Sequence, residues 1–162
     1  ADIIRWLTGV EFANVRAETA TAIRDMPAED IAVMHGEMTN GAIYQIDASW
    51  SRRGTYPVWG DVTFRIVGTK GSANLDLYNN QRVEVYDHSG LTAQYPEYLI
   101  REHGEIFLDY LAACEDDAPP TYANELDSLR TVELVSAAYE SAQSGETTEI
   151  DLWMSGLGMA YK

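Results

Sequence analysis

The sequence predicts an α+β fold, with two helices lying on one face of a hairpin-built sheet. Three observations predict it. Six short segments alternate apolar and polar residues with the period of a strand. Short turn signals join most of them, which makes sequential strands antiparallel neighbours. The last third then changes to helical periodicity, with one apolar stripe per segment. At 162 residues the chain can bury a sizeable core. It reads as a single domain over residues 1–162, without repeats or low-complexity stretches.

The elements follow in order. Residues 1–8 read as the tail of a helix that Gly9 stops, too short to hold alone. From Phe12 to Thr19, Ala13, Val15 and Ala17 alternate with Asn14, Arg16 and Glu18. Asp25 to Asp30 breaks the pattern as a loop. Ile31 to Met38 is the second strand, and Thr39-Asn40-Gly41 is a hairpin signal because Asn-Gly tolerates the positive φ angles of a type I′ turn. The third strand, Ala42 to Trp50, puts Tyr44, Ile46, Ala48 and Trp50 on one side and Gln45, Asp47 and Ser49 on the other.

After the loop at residues 51–60 comes the central hairpin. Val62, Phe64 and Ile66 alternate with Thr63, Arg65 and Val67, then Gly68 and Gly71 bracket Thr69-Lys70 where the chain reverses. Ala73, Leu75 and Leu77 alternate with Asn74, Asp76 and Tyr78 on the return. Arg82 to Asp87 adds a strand, and residues 88–96 read as irregular, punctuated by Gly90 and Pro96. In Glu97 to Cys114, Leu99, Ile106, Phe107, Tyr110, Leu111 and Cys114 line one helical face, with His103 among them. Asn124 with Asp127 offers the cap of a last helix, along which Leu126, Leu129, Val132, Val135 and Tyr139 recur until Gly145. Thr147 to Leu152 offers an edge strand.

Composition narrows the function classes. Twenty-six acidic residues face eleven basic ones, a formal net charge of −15, and only Lys70 and Lys162 are lysines. Such a surface repels phosphate backbones, which argues against nucleic acid as a partner. It also suits a salt-rich cytoplasm, where screening relieves self-repulsion, so a halophilic source is an expectation. No apolar run approaches the roughly 18 residues of a membrane span, and no signal peptide opens the chain, so neither a membrane partner nor secretion is expected. Cys114 is the single cysteine, compatible with a reducing cytoplasm and with no cysteine-built metal site.

The wording of the central hairpin is more specific than its pattern. A strand ending in Ile66-Val67-Gly68-Thr69-Lys70-Gly71-Ser72, followed by Ala73-Asn74-Leu75-Asp76-Leu77, resembles the C-terminal domain of the glucose-fructose oxidoreductase and inositol dehydrogenase family. The opening DIIRWLTG, Asp2 to Gly9, resembles the end of that family's catalytic helix. Ala137 to Ala142 with Gly145 resembles its last long helix. The resemblance covers nearly the whole chain up to Leu152. It implies an open-faced, mainly antiparallel sheet of about six strands, whose uncovered face carries Asn14, Arg16, Glu18, Gln45, Asp47, Thr63, Arg65, Asn74 and Asp76.

The same resemblance implies the function. The chain is expected to be the substrate-binding and oligomerisation domain of an NAD(P)-dependent sugar or polyol dehydrogenase. Its partners would be an N-terminal Rossmann domain of the parent chain, a small sugar or polyol, and further copies of itself through the open sheet face. The family's catalytic aspartate and histidine would precede Ala1, and its lysine-bearing Glu-Lys-Pro motif and Rossmann domain would lie outside this chain. The chain alone is therefore expected to be inactive and to hold no cofactor, with NAD or NADP bound by the intact parent. The alternative is a non-enzymatic interaction module that uses the sheet face for self-association.

Candidate chemistry is sparse. A dinucleotide site needs a glycine-rich turn between strand and helix. Gly156-Leu157-Gly158-Met159-Ala160-Tyr161 has part of the spacing, but tyrosine replaces the last glycine. His35, His88 and His103 lack partners at metal-ligand spacing. The loop SRRGTYPVWG is different: Arg52 and Arg53 supply hydrogen-bonding forks, and Tyr56 and Trp59 supply faces that suit sugar rings. Two readings stand, solvated arginines with aromatic plugs at the sheet end, or, as the resemblance implies, a wall of the sugar pocket. Asp2, beside the family's catalytic helix residues, either reaches substrate or serves as a structural acid.

Overall fold

A computed structural model describes residues 1–50, 62–76, 82–87, 90–94, 104–116 and 124–150. The elements are α1 (Asp2–Thr8), β1 (Asn14–Ala20), β2 (Ile31–Glu37), β3 (Ile43–Ser49), β4 (Thr63–Gly68), β5 (Gly71–Asp76), β6 (Arg82–Asp87), β7 (Gly90–Gln94), α2 (Gly104–Asp116), α3 (Glu125–Ser144) and β8 (Thr148–Glu149). All strand pairs are antiparallel. The mixed α+β class is as the sequence predicts, with eight strands among the described residues. By compactness the chain divides into residues 1–51 with 109–162, and residues 52–108.

The first unit carries a sheet in the order β3-β2-β1-β8. Opposed residues share a face, so the register Arg16↔His35↔Gln45 and Glu18↔Val33↔Asp47 puts the expected polar residues on one side. Val15, Ala17 and Tyr44 point the other way and are buried with Phe12, Met38, Leu134, Ala137, Ala138 and Ile150. Burial fades along β3: Tyr44 is 5% exposed, whereas Trp50, at the far end, is 66% exposed.

One irregularity shapes this sheet. Phe12 bridges Met38 and Arg16 opposes His35, so β1 spends three intervening residues where β2 spends two. That is a β-bulge, and it explains why Phe12 and Val15 both face the core. At Gly36 an added Cβ would run into the Asn14 carbonyl oxygen, so the bulge needs a glycine opposite it. The Asn14 carbonyl also accepts from the Tyr44 hydroxyl at 2.8 Å, and Phe12 meets the Tyr44 ring edge-on, centroids 4.6 Å apart. Burial pushes the Tyr44 hydroxyl up to about 12. At the following turn Met38 N–H donates to Ala42 O, enclosing Thr39, Asn40 and Gly41, with Gly41 at φ +82°. The loop thus holds three residues rather than the two of a type I′ hairpin.

α3 covers the core face, but not with the stripe that the sequence suggests. Val132, Val135 and Tyr139 are exposed, and Leu134, Ala137, Ala138 and Ser141 are buried. Small side chains let the helix axis approach β1, so the bulkier apolar residues are left facing outward. Ser141 completes the seam: its hydroxyl accepts from Ala17 N–H at 3.0 Å and donates to Glu146 O at 2.5 Å. β8 reaches only Asn14 and Val15, and the serine satisfies the strand beyond it. The Asn124 cap is as expected, a capping box closed by Asp127.

In the second unit the sheet order is β4-β5-β6-β7. Thr69-Lys70 joins β4 to β5 with Gly68 opposite Gly71, as the glycine bracket predicts. Thr63 opposes Asp76 and Arg65 opposes Asn74, so these four share a face. Gly90–Gln94 corrects the irregular reading of residues 88–96: β7 pairs with β6 from Asp87↔Gly90 to Val83↔Gln94. Gly90 opens this strand rather than breaking it. In α2, Ile106, Phe107, Leu108, Tyr110 and Leu111 are all exposed.

Candidate functional site

Asp2 is the one predicted site residue among those described; Arg52, Arg53, Tyr56 and Trp59 lie outside them, as do His88, His103 and the Gly156 spacing. Asp2 opens α1, whose last turn is closed by Gly9 (φ 65°) donating to Arg5 O at 2.7 Å. So short a helix needs a tertiary anchor. Arg5 supplies it.

The Arg5 side chain is 5% exposed and touches three carboxylates. Its Nε and Nη2 donate to the two Glu11 oxygens at 2.7 and 2.8 Å, a bidentate pair. Its Nη1 donates to Asp127 at 3.2 Å and to Asp2 at 3.3 Å. Asp127 also accepts the Asn124 N–H at 3.1 Å through its other oxygen, so one carboxylate caps α3 and holds α1. Sequence reading finds Asp127 as a cap but misses this junction. The Asp2–Arg5 spacing of three is visible locally; Asp127 lies 122 residues from Arg5, and only the fold joins them.

A second buried arginine, Arg130, pairs with one carboxylate among the described residues, Glu133 at 2.6 Å, and its Nε has no hydrogen-bond partner. His35 lies on β2, exposed, opposite Arg16 and Gln45 on the polar face. Among the described residues no group of three or more His, Cys, Asp or Glu is placed to hold a metal. Nor, among them, does a glycine-rich turn lead from a strand into a helix, so no dinucleotide contact is assigned to them. No described helix is long and apolar enough to cross a membrane.

Trp50, the last described residue before the predicted arginines, lies at the opposite end of the sheet. β1 starts beside Glu37 and Ile43, near Glu11 and Arg5; Trp50 follows Ser49, which opposes Ile31 at the other end. Seven strand residues separate the ends by roughly 20 Å. At this far end Asp30, 1% exposed, gathers the loop before β2: its carboxylate accepts from the N–H groups of Ala22, Ile23 and Arg24 at 2.7 to 2.9 Å. Trp50 Nε1 donates to Glu29 O at 2.9 Å, and a shallow cleft of about 350 Å³ lies between Ala28–Ala32 and Ala48–Trp50. The Tyr139 hydroxyl, on α3, donates to the Glu29 carboxylate. This bond lowers the Glu29 carboxyl and raises the Tyr139 hydroxyl from their ordinary values.

Known proteins share this architecture. Residues 1–74 match the GFO/IDH/MocA C-terminal domain. A D-apiose dehydrogenase of Rhizobium rhizogenes is 29% identical over 161 residues, covering 92% of this chain and 46% of that protein. An oxidoreductase structure from Thermotoga maritima is 28% identical with a TM-score of 0.78, over 92% of this chain and 44% of the other. An Agrobacterium radiobacter oxidoreductase, solved with NAD+, L-tartaric acid and magnesium, is 26% identical with a TM-score of 0.74, over 98% and 47%. The chain spans less than half the length of each of these relatives. The match over residues 1–74 and the fold shared along the chain make this chain similar to the C-terminal domains of the GFO/IDH/MocA family.

Proposed function

We propose that this chain is the substrate-side domain of an NAD(P)-dependent oxidoreductase that acts on a carbinol group of a sugar or polyol. The observation that carries the reading is the likeness to D-apiose dehydrogenase along 92% of the chain, on the fold of an NAD+-bound oxidoreductase. NAD or NADP, bound on an N-terminal Rossmann domain, would supply the hydride acceptor or donor. The role of this chain is to bind and orient hydroxyl groups. Asp2 contributes an acceptor, and Arg52, Arg53, Tyr56 and Trp59 contribute one wall of the pocket. The polar sheet face with Arg16, Glu18, Gln45 and Asp47 supports self-association in a cytoplasmic homo-oligomer.

The test is reduction of NAD and NADP by the full-length protein with a panel of aldoses and polyols. Turnover with at least one is expected; no turnover with any overturns the reading. For the pocket wall, Arg52→Ala or Arg53→Ala should lower kcat/KM by about 1–3 kcal/mol of binding. Unchanged values for both remove the loop from the site. A non-enzymatic interaction module remains the competing class. It predicts oligomers without turnover.

A further inference from the structure

We propose that Asn40 is a site of spontaneous covalent modification, where the Gly41 backbone nitrogen displaces the side-chain amide as the β2–β3 turn opens. The chain has six asparagines, and only Asn40 precedes a glycine. That neighbour matters because a side chain on the following residue crowds the approach to its nitrogen. Asn14, Asn74 and Asn124 precede Val15, Leu75 and Glu125. At Gly41, by contrast, even an added Cβ would meet nothing within 4 Å, and residues 39–42 are all exposed. The φ of +82° at Gly41 also keeps this position a glycine.

The turn both primes the reaction and restrains it. Asn40 Oδ1 accepts the Ala42 N–H at 3.0 Å, a donor placed where negative charge gathers when the amide carbon is attacked. The nucleophile is tied, because Gly41 N–H donates to Met38 O at 2.8 Å. The nitrogen must lose that proton before it attacks, so local opening comes first. The bond from Gly41 N to Asn40 Cγ then forms, the Cγ–Nδ2 bond breaks, and ammonia leaves a five-membered imide. Water opens the ring at Cγ to give aspartate, or at the main-chain carbonyl to give isoaspartate.

The two products differ in what they do to the fold. Aspartate keeps an acceptor for the Ala42 N–H. Isoaspartate routes the main chain through the side-chain carbon and lengthens it by one atom. The loop has little room for that atom, since Met38 N–H closes it onto Ala42 O at 2.8 Å. The same loop is tied to the lead into β1, through Thr39 N–H to Glu11 O at 2.9 Å and through the buried Met38, which bridges Phe12. Isoaspartate therefore loosens the start of the sheet, and aspartate does not.

Peptide mapping by mass spectrometry tests this on the full-length protein, aged at neutral and alkaline pH, folded and in urea. Trypsin cuts after Arg24 and Arg52 and isolates a fragment in which Asn40 is the only asparagine. The folded protein should convert this amide to acid, faster at alkaline pH, as a mixture of aspartate and isoaspartate. Urea should speed the conversion about tenfold by releasing the turn. Asn40→Gln, which would have to close a larger ring, should stay unmodified. An Asn40 that stays intact in the folded protein overturns the site, whether or not the urea sample converts. Equal rates in the two samples overturn control by the turn. Aspartate without isoaspartate means that water attacks in place of Gly41 N, and overturns the mechanism. Asn40→Asp should melt with the wild type, and the isoaspartate fraction lower; equal melts for all three overturn the effect on the sheet.

Discussion

Along the seam between β1 and α3 the deciding side chains are the smallest ones, whereas at the head of the same strand they are the charged ones. Ala137, Ala138 and Ser141 let α3 approach β1, Gly36 lets β2 approach the bulge of the same strand, and one hydroxyl meets the polar atoms between β1 and α3. At the junction of α1, β1 and α3, a single guanidinium joins three elements through Glu11, Asp2 and Asp127. A seam built on closeness tolerates little added volume. A junction built on charge tolerates no unmatched partner. Arg130, with one carboxylate and an unpaired Nε, shows what a buried arginine looks like without such a junction.

The largest effect should come from breaking the junction. Arg5→Met removes a buried cation shared by three carboxylates and should cost about 3–5 kcal/mol in denaturant unfolding. A loss under about 1 kcal/mol would mean that the junction contributes little beyond surface pairing. Next, Gly36→Ala drives a methyl group into the Asn14 carbonyl and should cost about 1–3 kcal/mol, since bulge and strand cannot both keep their places. Equal stability would show that the bulge relaxes and that closeness is not what sets the pairing of β1 with β2 there.

Removing the Arg130–Glu133 pair as a unit sharpens the contrast. The double variant Arg130→Met with Glu133→Leu should lie within about 1 kcal/mol of wild type, because a buried ion pair removed as a unit is readily replaced by apolar volume. A cost comparable to that of Arg5→Met would place both arginines in the same class. The smallest effect belongs to the exposed contact between Glu29 and Tyr139. Glu29 is depressed, so its contribution is present above its ordinary 4.5 and lost as pH falls through its folded value. Tyr139 is raised, so its contribution is present below its ordinary 10.0 and lost as pH rises through its folded value. Tyr139→Phe should therefore flatten the melting-temperature profile slightly at both edges, and an unchanged profile would make the contact inconsequential.

Much of this architecture was legible because its signals are local. The glycine bracket around Thr69-Lys70, the Asn124–Asp127 cap and the Gly9 and Gly145 stops each specify backbone geometry within a few residues. The buried stripe of α3 differs from the one that its larger apolar residues suggest, because side-chain size does not decide burial there. Leu134, Ala137, Ala138 and Ser141 also recur at helical spacing, but alanine and serine carry a weak apolar signal, although they are what a close-packed seam requires. The bulge escaped because a one-residue surplus in β1 shows only against its partner strand. At the candidate site, Asp2 was legible through its motif. Arg5 carries no comparable local signal, since two of its three carboxylate partners, Glu11 and Asp127, lie outside its helix.

The central claim is that this chain serves the substrate side of an oxidoreductase and leaves the dinucleotide to another domain. Calorimetric titration of the purified chain, its fold first checked by a cooperative melt, tests that most directly with NAD and NADP as ligands. The account predicts no heat beyond dilution for either. Saturable binding with a micromolar Kd for NAD or NADP would contradict it, because affinity at that level requires a built pyrophosphate site.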